Sequence, residues 1–172
     1  MRIRDARLDD AAALSRFARD VFVDTFGHLY PPQDLKAFLW TRYTTRAQRA
    51  ELRDPRIRYR LAVDDDDVIV GYSMVGPLSL PTQGEGLELS RLYVDRAVQG
   101  TGVAARLMDD VIAYAREQGA PALYLSVYEN NERAKRFYRR YGFIQVGEYD
   151  FFVGRARDRD LIWRLDLSAA PA

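Results

Sequence analysis

A glycine-punctuated turn, Gln99-Gly100-Thr101-Gly102-Val103-Ala104, lies between two segments of different periodicity. Before it, Leu87–Val94 (LELSRLYV) is apolar or β-favouring at most positions and predicts a strand. After it, Val103, Leu107, Val111 and Ala115 recur at helical spacing and predict an amphipathic helix. A glycine turn feeding a helix leaves the first N–H groups of that helix without partners, at the positive end of its dipole. Phosphate oxygens fit such a site. The turn reads as a pyrophosphate cradle, and the remaining chain as what brings a substrate to it.

Two other glycine motifs compete for the same residues. GTGVAA fits the loose dinucleotide pattern G-x-G-x-x-A, with Glu129 as a nominal ribose partner. In that fold the strand runs straight into the first glycine and several βαβ units follow. Here Asp95–Gln99 intervene, and little chain remains after Glu129. A P-loop needs a Lys after its second glycine, which this turn lacks. A bare turn with no ligand is the plain alternative.

The 172 residues suffice for one domain with a full core. Residues 1–168 read as that domain and 169–172 as a tail. A 48% apolar and 30% charged chain is globular rather than fibrous or disordered. No apolar run approaches the roughly 20 residues that cross a bilayer. The opening MRIRDARLDD has no apolar signal core, so a cytoplasmic protein with no membrane partner is expected. A net charge of +1 gives no global attraction to nucleic acid. The absence of Cys removes disulfides, thiolate metal sites and thiol nucleophiles, and no metal site is expected.

In chain order, Met1–Ala6 alternates as a short strand. Asp9 or Asp10 can cap a helix running to about Asp24, ended by Gly27. Pro31-Pro32 suits the first turn of a second helix, and Thr45–Leu52 a third. Arg58–Val63 and Val68–Leu78 form a hairpin around an Asp run, with Gly71 and Gly76 as candidate bulges. After the central strand and helix, Ala122–Tyr128 reads as a strand reached by a parallel crossover. A helix over Asn131–Tyr141 and two antiparallel strands, Phe143–Val153 and Asp160–Leu167, complete the chain. This order predicts an α/β (α+β) domain: a mixed central sheet with helices on both faces.

Three pieces occur together: the Leu92-Tyr93-Val94 strand end, the Q-x-x-G-x-A turn, and Asn131-x-x-Ala134-x-x-Phe137-Tyr138-x-x-x-Gly142-Phe143. As a set they resemble the GCN5-related N-acetyltransferase (GNAT) superfamily. The resemblance implies the acyl-CoA N-acyltransferase fold and acetyl-CoA as co-substrate. It implies that the backbones of Leu92 and Val94 pair with the pantetheine amides. By the same resemblance Gln99, Gly100, Thr101, Gly102, Val103 and Ala104 cradle the pyrophosphate, and Asn131 holds the pantetheine arm. The family loop often begins with Arg, so Gln99 implies that backbone amides carry more of the anion binding. Tyr138 matches the general acid that protonates the departing thiolate.

A phenol near a thiolate has its own rationale, since it donates a proton or a hydrogen bond without carrying charge beforehand. With 11 Tyr in the chain, packing of a helix on a sheet is the plain alternative. A base is also needed, because an ammonium cannot attack a thioester. Glu88 is the first candidate: strand alternation places it on one face with Ser90, Leu92 and Val94, and the family often has an acidic residue on this strand. His28, the single His, is the second. Ser90 and Ser126 lack the cue for a triad, so direct transfer in a ternary complex is expected.

The first helices offer Asp20, Asp24, Asp34, Phe22, Phe26, Tyr30 and Trp40 to the acceptor side. Carboxylates with aromatics suit a cationic amine. DVFVDTFGHLYPPQDLKAFL is similar to bacterial polyamine acetyltransferases of the superfamily. The expected function is transfer of an acetyl group from acetyl-CoA to a primary amine, with a small polyamine-like acceptor leading. A protein or peptide N-terminal acetyltransferase and a non-catalytic acyl-CoA sensor are the alternatives. The superfamily also makes a homodimer an open option.

Overall fold

The computed structural model describes residues 1–168; the expected tail, 169–172, lies outside them. Among the described residues there are seven strands and five α-helices. Strands β1 (Arg2–Asp5), β2 (Arg58–Val63), β3 (Ile69–Pro77), β4 (Leu87–Val94), β5 (Ala122–Tyr128), β6 (Ile144–Val153) and β7 (Ala156–Asp166) make one sheet. Its order is β1-β2-β3-β4-β5-β7-β6, with β4–β5 the one parallel pair. The helices are α1 (Ala11–Phe26), α2 (Pro32–Arg42), α3 (Thr45–Arg53), α4 (Val103–Glu117) and α5 (Glu132–Arg140).

The long helices α1 and α4 turn apolar stripes to opposite faces of the sheet. On one face Leu14, Ala18, Val21 and Phe22 of α1 pack with Tyr43, Tyr59, Leu61 and Tyr72, and residues of α2 lie against them. On the other face Met108, Val111 and Ala115 of α4 pack with Tyr138 of α5 against Leu89, Leu123, Leu125 and Val127. The predicted two-faced mixed sheet is the fold observed. α1 runs two residues past Asp24, to Phe26. Asp10 does not cap it; its carboxylate accepts from the Arg7 N–H at 2.6 Å and pairs with Arg4 at 2.8 Å.

Three features of the sheet position the site. Between the Met74–Arg91 and Val75–Leu89 pairs, Ser90 is an extra residue on β4, a β-bulge that reverses the in–out alternation. The bulges expected at Gly71 and Gly76 are therefore half right. An irregularity does fall beside Gly71, at Val70, but Gly76 pairs regularly with Glu88. Second, β4 and β5 pair only at Leu87–Leu123 and Glu88–Tyr124. Beyond Glu88 they diverge and leave facing edges unpaired. Third, β7 begins at Ala156 rather than Asp160, because the β6–β7 hairpin closes on the tight turn Gly154-Arg155. Gly154 has φ +59°, and a Cβ there would lie 2.6–2.8 Å from Asp34. Asp34 is buried and accepts the Arg155 N–H at 3.0 Å, tying the hairpin to α2.

A buried ion pair anchors β4 to α3. The Arg91 guanidinium is 5% exposed and meets both Glu51 carboxylate oxygens at 3.0 Å. It also donates to the Tyr59 hydroxyl at 2.6 Å and lies over the Tyr43 ring. Because β4 is covered on that face, such a charge is tolerated only when fully partnered.

Candidate active site

The gap between β4 and β5 opens into a cleft of about 620 Å³ that runs from the glycine turn to β7. That volume is in the range of small-molecule sites.

At one end lies the predicted cradle. Gly100 and Gly102 have φ +84° and +89°, a left-handed conformation that side-chain-bearing residues seldom adopt. An added Cβ at either would meet no protein atom within 4 Å. The glycines are therefore required by backbone conformation and not by packing. The first bond of α4 is Arg106 N–H to Gly102 C=O, at 3.0 Å. Among the described residues, the N–H groups of Gly102, Val103, Ala104 and Ala105 have no acceptor. Four free donors at a helix N-terminus suit an anion. The Val103 side chain is buried against Ala62 and Leu107 and does not line the cleft. Thr101 turns its hydroxyl back to the Val98 carbonyl at 2.6 Å and does not line the cleft.

Arginines of another element lie next to the loop. Gln99 donates to the Val94 carbonyl at 3.3 Å, and its side-chain carbonyl accepts a short hydrogen bond from Arg133. Arg136 and Arg140 line the same wall, one and two turns further along α5. Three cationic side chains of α5 therefore stand beside the free N–H groups of the turn.

Leu92 and Val94 line the cleft on the diverging edge of β4, next to unpaired β5. Unpaired strand edges are a template for an extended amide-bearing ligand. Asn131 lines the cleft as the N-cap of α5, its side-chain oxygen accepting the Ala134 N–H at 3.2 Å. Tyr138 lines it from the same helix. Its ring is buried among Phe137 and Phe143, and burial pushes the phenol up to about 12. Among the described residues its hydroxyl has no hydrogen-bond partner, so it stays neutral and free to donate.

Glu88 is not on the face that alternation predicts. The Ser90 bulge puts Leu92 and Val94 on the α4 face, while Glu88, on the opposite face, sits beside Tyr124. It is buried, and its carboxylate accepts from the Ser79 N–H and hydroxyl at 2.8 Å each and from the Ser90 hydroxyl at 3.2 Å. It does not line the cleft. His28 is exposed and also lies outside it.

The far end of the cleft is the expected acceptor side, with a different set of carboxylates. Phe22, Phe26 and Tyr30 line it, together with Phe38 and Phe151. Asp20 and Asp24 are exposed on α1, Asp34 holds the β6–β7 turn, and Trp40 is 76% exposed; none of the four lines the cleft. Asp158 and Asp160 of β7 do. Asp158 accepts a short hydrogen bond from the Tyr30 hydroxyl. Asp160 is 8% exposed, and burial, helped by the Asp158 charge, raises its carboxyl to about 6. The signal was present in the sequence: in ARDRDL the two Asp are two residues apart and share a strand face. Starting the strand at Asp160 hid it.

The profile of the Acetyltransferase (GNAT) family matches residues 17–143. The chain belongs to the GNAT acetyltransferase family. An uncharacterized N-acetyltransferase of Mycobacterium tuberculosis is 32% identical over 155 residues, 90% of this chain and 96% of the relative. A spermine/spermidine N(1)-acetyltransferase of Bacillus subtilis is 34% identical over 89 residues, 48% of this chain and 57% of the relative. In fold the chain is similar to the PaiA N-acetyltransferase of Thermoplasma acidophilum, solved with coenzyme A. That likeness has a TM-score of 0.77 at 18% identity over 96% of this chain and 98% of the other. As an enzyme, this GNAT member is an N-acetyltransferase. Among the described residues no helix is long and apolar enough to cross a membrane.

Proposed function

We propose that this GNAT enzyme transfers an acetyl group from acetyl-CoA to a small primary amine, directly and in a ternary complex. The observation that carries the reading is the continuity of the cleft. Free helix N–H groups, diverging strand edges and an unbonded phenol follow one another along a single groove. Each matches one part of an acyl-CoA: phosphates, amides and thioester.

In this reading the amides of Gly102–Ala105 and the guanidinium of Arg133 bind the pyrophosphate. The edges of β4 and β5 pair with the pantetheine arm, with Asn131 at its side. Tyr138 Oη donates to the thioester sulfur as the C–S bond breaks. Burial raises the proton affinity of a thiolate as it does that of the phenolate. The phenol therefore remains a donor, and the leaving group receives its proton or shares it. The aromatic walls and the carboxylates of β7 suit a cationic acceptor. The partial likeness to a spermine/spermidine acetyltransferase supports a polyamine as the first compound to try. A pure sensor would have no use for a free phenol facing the gap.

Calorimetric titration with acetyl-CoA, and with NADH as control, tests the cradle. Binding of acetyl-CoA alone is expected. Turnover with spermidine, against a panel of free N-terminal peptides, then tests the acceptor class. Absence of acetyl-CoA binding overturns the reading.

A further inference from the structure

Asp160 is a buried carboxylate that lines the cleft with the Ser126 hydroxyl beside it and, among the described residues, no cation. It lies on β7 opposite Tyr128 of β5 and Tyr149 of β6. It is more than nine-tenths buried and faces the cleft. Among the described residues it forms no ion pair, whereas Asp34 and Glu51 each meet an arginine. A buried carboxylate in a cleft without a cation is incomplete until a cation arrives or a proton binds.

The groups around it leave that role open. From β7, Asp158 is occupied by the Tyr30 hydroxyl. From β5, the Ser126 hydroxyl sits beside Asp160 and is itself hydrogen-bonded to Tyr149 Oη of β6 at 3.2 Å. Tyr128 of β5 faces the same space, as do Tyr93 of β4 and Tyr30, whose phenols burial pushes up and keeps neutral. Arg42 of α2 and Glu88 of β4 act on Tyr149, from opposite signs, without pairing with Asp160. Arg91 is consumed by Glu51.

From this geometry we infer that Asp160 is the base that takes the proton from the ammonium of the acceptor. The inference rests on the proposed acetyl transfer. In the step, one N–H proton passes to Asp160 and frees the nitrogen lone pair. That pair forms the C–N bond at the thioester carbonyl, and the C–S bond breaks. The thiolate takes a proton from Tyr138, which recovers one from the new amide nitrogen. Asp160 then returns its proton to solvent. One acetyl group and one net proton are accounted for. Glu88 is excluded from the direct role because its oxygens are taken by Ser79 and Ser90 on the far side of the bulge. A base is most effective when its conjugate acid ionises near the working pH, which burial and Asp158 together provide here.

The test uses the full chain, acetyl-CoA and spermidine, with Asp160→Asn and Asp160→Glu. For the wild type, kcat/KM is expected to rise through a single ionisation near pH 6 and then level. Asp160→Asn should lose about 10²-fold or more at pH 7. Its residual rate should keep climbing about tenfold per pH unit, because only the free amine then reacts. Asp160→Glu should recover part of the rate, and acetyl-CoA affinity should be unchanged in both. An Asp160→Asn enzyme with wild-type turnover and profile overturns the inference. Failure of the wild type to bind acetyl-CoA would instead overturn the proposed function. Should spermidine not be acetylated, a carboxyl ¹³C titration of the acetyl-CoA complex decides. The resonance absent from Asp160→Asn should titrate near pH 6, and one still ionised at pH 4 refutes the inference.

Discussion

Gly102→Asp separates the cost of a backbone conformation from the cost of a charge. Gly102 has φ +89° and no protein atom within 4 Å of the place a Cβ would take. A side chain there meets no steric penalty from the protein. It carries only the left-handed penalty, about 1–2 kcal/mol and less for Asp, which tolerates that region. An Asp at this N-cap also complements the dipole of α4, which offsets part of it. The fold should survive, with a melting temperature lower by roughly 2–8 °C. The ligand meets a different situation. A carboxylate about 5 Å from a phosphate charge, at an effective dielectric of about 20, costs roughly 3 kcal/mol per charge. Acetyl-CoA affinity should fall by two orders of magnitude or more, measured by calorimetry at low salt. Gly102→Ala, which lacks the charge but carries the full left-handed penalty with no gain from the dipole, should lose somewhat more stability and less affinity. A folded Gly102→Asp protein that binds acetyl-CoA as the wild type does would refute the cradle.

Tyr138→Phe should lower kcat by about 10²-fold while leaving the acetyl-CoA dissociation constant within a few-fold, since the hydroxyl has no other partner; unchanged turnover removes Tyr138 from the acid role. Arg91→Ala leaves the half-buried Glu51 carboxylate without a cation, held by the Tyr59 hydroxyl alone at 2.5 Å. It should cost about 3–5 kcal/mol in urea unfolding, and a loss below about 1 kcal/mol would show that the pair is more solvated than its burial indicates. Asp160 ionises near 6 when folded against an ordinary 3.8. The protonated form therefore favours the folded state, and that stability is complete below about pH 4 and is lost as pH rises through 6. Asp160→Asn should consequently be more stable than the wild type at pH 7.5 by up to about 3 kcal/mol, with the difference closing toward pH 4. Equal urea midpoints at pH 7.5 would place Asp160 in contact with solvent.

Sequence and structure divide along the range of the interactions. The order of elements, the two helical faces and the glycine cradle were legible because each is settled by neighbours within a turn or two. Apolar spacing marked α4, and two glycines before a helix marked the positive-φ turn. Tyr138 and Asn131 were reachable through their place in a recurring pattern, and both line the cleft. The acidic residues were not legible in the same way. Alternation assigned Glu88 to the face of Leu92, and one bulged residue, Ser90, reversed that parity. Asp20 and Asp24 look equivalent to Asp158 and Asp160 as letters, yet only the latter pair faces the cleft.

The sequence by itself determined the strand–turn–helix with its free N–H groups, since φ angles and unpaired helix N–H groups are local properties. Only the tertiary structure decided which buried carboxylate lines the cleft without a cation and which arginine meets the loop. Asp160 owes its burial to strands β5 and β6, and Gln99 meets Arg133 across 34 residues of chain. Desolvation and charge pairing depend on what the fold brings within a few ångströms.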